Sequence, residues 1–185
     1  MRKFRILLLI LASAACTFGA QAAGPEIGTL MERARDLFDY GRWSDARHEF
    51  LRAKAALTPS DRLLAQEVEF YLAACAVELG SADAEGALRE FDERYPGSVY
   101  ANDVRFALGS FYCSAGNMKK AREAFEKTDY RALSAPRREQ YDIRMGYVEF
   151  GDGNYAKAYG YFDRIGSRSE YVDHARYYKA YIDYA

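Results

Sequence analysis

The 185-residue chain has little of what marks several protein classes, and each shortage excludes something. Four prolines and 14 glycines are too few for a collagen-like or Pro/Gly-rich disordered chain. Three cysteines cannot staple a small disulfide fold. Two histidines, with no H-x-x-x-H and no paired C-x-x-C, give no metal motif, and no cofactor is expected. Neither sign of charge is in excess: 26 Lys and Arg against 27 Asp and Glu leave a net charge of −1, which is no electrostatic footprint for nucleic acid. The apolar run from Ile6 to Ala15 stops at about ten residues, where a membrane-spanning helix needs about 20.

What is present is an ordinary foldable composition, 50% apolar and 29% charged, with 16 tyrosines and 11 phenylalanines. At about 100–200 residues per domain, the length allows one domain with a sizeable core.

The first 22 residues read as an export signal. Arg2, Lys3 and Arg5 precede the apolar run, and Ala20-Gln21-Ala22 has the A-x-A form of a cleavage site. Cleavage between Ala22 and Ala23 removes three positive charges, takes the net charge from −1 to −4 and delivers residues 23–185 to the periplasm. An uncleaved anchor is disfavoured by the short run. The other alternative is lipidation at Cys16, since Leu11-Ala12-Ser13-Ala14-Ala15-Cys16 resembles a bacterial lipoprotein signal, although Ser13 stands where a larger aliphatic residue is preferred. Only in that case is the protein expected on a membrane, as an outer-membrane-anchored lipoprotein. Cys75 and Cys113 remain after cleavage and read as buried small residues rather than a bridge.

From Ile27 onward apolar residues recur at three and four, as in Leu30, Ala34, Leu37 and Phe38, and no run alternates with period two. The fold class is therefore all-α. Pro25, Pro59, Pro96 and Pro136 fall where one helical stretch gives way to another, and Gly41, Gly80, Gly116 and Gly151-Asp152-Gly153 mark the remaining joints. The punctuation predicts helices of roughly 12–18 residues in antiparallel pairs.

Four segments repeat. They read Gly41-Arg42-Trp43-Ser44-Asp45-Ala46 then Phe50; Ala82-Asp83-Ala84-Glu85-Gly86-Ala87 then Phe91; Gly116-Asn117-Met118-Lys119-Lys120-Ala121 then Phe125; and Gly153-Asn154-Tyr155-Ala156-Lys157-Ala158 then Phe162. The alanines, and the phenylalanines with them, are spaced by 41, 34 and 37 residues. A small residue early in the second helix of a pair allows close approach, and an aromatic one turn later fills the space between pairs. The pattern resembles the tetratricopeptide repeat family, with Leu108-Gly109 and Tyr112 at its leucine-glycine and tyrosine places, Met145-Gly146 in the next unit, and Ala34 and Cys75 at the small position of the first two. The family's opening tryptophan is absent, and the 41-residue interval implies a lengthened first helix in the second unit. The resemblance implies a right-handed α-solenoid over residues 23–185, with units at about 27–59, 60–96, 98–131 and 135–167 and a half unit at 168–185. The segment from Arg94 to Ala101 also resembles the junction in periplasmic repeat proteins of Gram-negative envelopes.

Aligning Gly146-Tyr147-Val148-Glu149-Phe150 with Ala180-Tyr181-Ile182-Asp183-Tyr184 makes the last 17 residues the first helix of a fifth unit without its partner. Tyr177, Tyr178, Tyr181, Ile182 and Tyr184 are not the polar face of a capping repeat. The chain is expected to be a fragment of a longer array, or this end binds another molecule.

No catalytic constellation emerges. His48 and His174 lack a nucleophile pattern, Gly151-x-Gly153 lacks a third glycine and a strand-to-helix junction, and Glu85, Arg89, Glu90 and Glu93 form a solvated face. No enzymatic activity and no small-molecule substrate are expected. The family's first helices line a concave face, which the resemblance places at Met31, Arg35 and Phe38; Leu72, Ala76 and Leu79; Phe106, Ser110 and Cys113; Ile143, Tyr147 and Phe150; and Tyr177, Tyr181 and Tyr184. Phe106, Tyr147, Phe150, Tyr177, Tyr181 and Tyr184 make this face aromatic and suited to an extended peptide or a partner helix. The rings could equally pack one repeat on the next. The expected function is a non-catalytic scaffold that binds protein. The alternatives are an oligomerising spacer that self-associates through its C-terminal end, or the repeat region of a longer protein whose activity lies beyond residue 185.

Overall fold

A computed structural model describes residues 25–184, so Cys16, Ala22 and Ala23 lie outside the described residues. Among the described residues the chain is all-α, with no strand. The helices are α1 (Pro25–Asp39), α2 (Trp43–Ala56), α3 (Arg62–Glu78), α4 (Ala84–Arg94), α5 (Ala101–Ser114), α6 (Met118–Glu126), α7 (Ala135–Gly151), α8 (Tyr155–Phe162) and α9 (Val172–Tyr184). A short 3-10 turn, Tyr130–Ala132, precedes α7. The chain forms two compact units divided between Ala87 and Leu88.

In the first unit α1 packs on α2 and α2 on α3. Helical spacing selects the buried side chains: Met31, Ala34 and Phe38 from α1, and Ala46, Phe50 and Ala53 from α2. The Phe50 ring stacks on Tyr71 of α3 with centroids 4.7 Å apart, and Phe38 meets the same ring edge-on at 5.2 Å. Burying each large side chain contributes about 2–3 kcal/mol. Glu49, also buried, is held by Arg52 at 2.8 Å.

In the second unit α5 packs on α6, α7 on α8, α6 and α5 on α7, and α8 on α9. Phe91, Phe125 and Phe162 rank with Phe50 as the largest fully buried side chains of the described residues. Phe125 meets Tyr141 edge-on at 5.1 Å, and Phe162 stacks on Tyr178 at 5.2 Å.

Four turns share one construction. Gly41, Gly80, Gly116 and Gly153 have φ of 73°, 62°, 73° and 75°, the left-handed region open to glycine. Around each, the residue after the glycine donates five residues back, from Arg42 to Leu37, Ser81 to Ala76, Asn117 to Tyr112 and Asn154 to Glu149, at 2.8–2.9 Å. The glycine itself donates to the carbonyl three residues back, which completes the Schellman closure of a helix C-terminus. Pro25 opens α1 and Pro136 lies in the first turn of α7, where a missing N–H leaves no helical bond unmade.

Helix length departs from the sequence expectation. The first helices hold 13–17 residues, but α4, α6 and α8 have only 11, 9 and 8. After α6 the backbone N–H of Asp129 is drawn to the Asn102 side chain at 2.7 Å, while the Asp129 carboxylate accepts from Arg131 N–H at 2.9 Å. This Asx-type turn competes with continued helix and wins. Helix α3 has 17 residues, the same as α7, so the 41-residue interval is not matched by a uniquely lengthened first helix; α2, at 14 residues, is the longest of the second helices.

Candidate binding surface

The C-terminal end of the second unit begins with a turn that occurs twice. Before α5, the Tyr100 N–H donates to Ser98 Oγ at 3.3 Å and the Ala101 N–H to the Ser98 carbonyl. Before α9, the Tyr171 N–H donates to Ser169 Oγ at 3.2 Å and the Val172 N–H to the Ser169 carbonyl. The 71 residues from Ser98 to Ser169 also separate Val104 from Ala175, which are 1% and 3% exposed, and Gly109 from Ala180. Helix α9 therefore enters the unit as α5 does and keeps the same register.

The inner face of α9 carries Ala175, Tyr178 and Ile182, which pack on Ile143, Ala158 and Phe162. Tyr178 is the hub: its ring lies 5.1 Å from Tyr147, 4.8 Å from Phe150 and 5.2 Å from Phe162. Burial pushes the Tyr147 hydroxyl up to about 12, with the Tyr178 and Tyr171 hydroxyls adding to the shift. Asp163 holds Lys179 at 2.5 Å, which ties α8 to α9 and raises the ammonium pKa.

The six expected groove aromatics separate into three environments. Phe106 is 3% exposed, beneath the Arg137 guanidinium and 6.0 Å from Phe125, so it is an interior packing residue rather than a surface one. Tyr147 and Phe150 are part-buried in the cluster around Tyr178. Tyr177, Tyr181 and Tyr184 are 65%, 50% and 96% exposed on the outer face of α9, the Tyr181 ring also meeting Phe150 edge-on at 5.3 Å. Of the remaining concave positions, Met31, Phe38, Ala76 and Ile143 are buried, and Arg35 is engaged by Glu67 at 2.7 Å. The family resemblance distributed these six aromatics over three helices, whereas exposure concentrates them on one.

The repeat-defining residues are interior. Ala46, Phe50, Ala121, Phe125 and Ala158 are 0% exposed, Phe91 and Phe162 1%, and Ala87 is part-buried. Gly109 and Gly146 lie directly under the rings of Phe125 and Phe162. The interval of 16 residues from Gly109 to Phe125 and from Gly146 to Phe162 recurs from Ala34 to Phe50, both fully buried.

Two clefts in the second unit are repeat-equivalent. One, of about 280 Å³, has Leu108 and Tyr112 from α5 and Lys120 and Lys127 near α6. The other, of about 390 Å³, has Met145 and Glu149 from α7 and Lys157 and Arg164 near α8. Both are open and lined by charges of both signs that already pair with one another, as in Arg105–Asp92 and Arg122–Glu149. His48 and His174 are exposed. Cys75 and Cys113 are free thiols, which burial pushes up to about 12 and about 11, and such thiols are poor nucleophiles.

Among the described residues no helix is long and apolar enough to cross a membrane, and no group of His, Cys, Asp or Glu could hold a metal ion. No protein-family model, curated protein or solved structure matches the chain.

Proposed function

We propose that this chain is a non-catalytic, exported scaffold of tetratricopeptide type that binds a protein partner through the outer face of α9. The repeated glycine turns and the phenylalanine recurring 16 residues after a small residue support the repeat reading. The basic, apolar and A-x-A pattern of residues 1–22 supports export to the periplasm. Soluble and Cys16-lipidated forms differ only in whether the scaffold stays on a membrane.

One contrast carries the binding proposal. At the same place in their helices, Phe106 in α5 and Ile143 in α7 are 3% and 2% exposed, but Tyr177 in α9 is 65% exposed. Three tyrosines at 177, 181 and 184 share one helix face in water, an arrangement enriched at interfaces because the ring is apolar and the hydroxyl can find a partner. Truncation of Tyr177 and Tyr184 to serine should abolish partner recovery from the native cell while leaving helicity and melting unchanged. Loss of fold, or undiminished recovery, would contradict the proposal. Light scattering separates the oligomerising alternative, which alone demands a concentration-dependent assembly.

A further inference from the structure

We draw no further inference here: the strongest candidate, the exposed tyrosine face of α9 at Tyr177, Tyr181 and Tyr184, carries nothing beyond the binding proposal above because nothing in the structure shows what covers it.

Discussion

The ring of Phe125 occupies the volume a side chain on Gly109 would need: a Cβ at that glycine would lie 2.5 Å from Phe125 Cδ1 and Cε1. Gly146 has the same relationship to Phe162, with Cδ1 2.7 Å from the missing Cβ. Each pair lies in the interior of one helical hairpin, so close helix approach and aromatic filling are one event.

Alanine at Gly109 or Gly146 should therefore destabilise the fold by about 1–3 kcal/mol through overpacking, although alanine in a helix normally gains about 1 kcal/mol over glycine. The control is Gly28→Ala or Gly86→Ala, where nothing lies within 4 Å and a gain of about 0.5–1 kcal/mol is expected. Urea unfolding checks the sign. Combining Gly109→Ala with Phe125→Leu should recover part of the loss, because the two residues share one space.

At the turns the reason for glycine is backbone conformation rather than space. Gly116 and Gly153 have φ of 73° and 75° with nothing within 4 Å of a would-be side chain. Alanine there should cost about 1–2 kcal/mol, and asparagine, which tolerates the left-handed region, should cost less than alanine. Thermal melting of the four single variants tests the order.

Glu149, 3% exposed, accepts from Arg122 and, at 2.8 Å, from Asn154. Burial pushes its carboxyl up, but the Arg122 and Asn154 hydrogen bonds more than offset this and hold it below the usual carboxylate range. A carboxylate with a depressed pKa stabilises the fold above its unfolded pKa, and that stabilisation is lost as pH falls through the folded value. Glu149→Gln should lower stability by about 1–3 kcal/mol at neutral pH and flatten the acid limb of the stability curve. Chemical denaturation across the acid range reads both effects.

Glu78, at the end of α3, behaves in the opposite way. Burial raises its carboxyl from 4.5 to about 7, so the folded chain holds a proton that the unfolded chain releases. Stability should decline as pH rises between those values, and Glu78→Gln should remove the decline without altering the Glu149 effect. The denaturation midpoint measured from about pH 4 to about pH 8 tests this against the wild type.

Much of the fold was legible because packing leaves a period in the sequence. Residues 46, 50, 121, 125, 158 and 162 could be placed as small or aromatic core positions from spacing, and residues 34, 109 and 146 from the family resemblance. The short second helices were less legible, since α6 stops where Asp129 finds Asn102, a partner 27 residues away. The surface was the least legible. Phe106 and Tyr177 read alike as aromatic first-helix residues, and what separates them is whether a neighbouring helix lies over them, which the residue itself does not record. The Ser98 and Ser169 turns gave a usable signal of register in their 71-residue spacing.

The central claim is that the outer face of α9 meets a protein in the cell. A photo-crosslinking amino acid at position 181, and in a second strain at the exposed position 119, tests it directly in the native organism. The account predicts one defined protein adduct, identifiable by mass spectrometry, from position 181 and none from 119. No adduct at 181, or the same adducts from both positions, would contradict it.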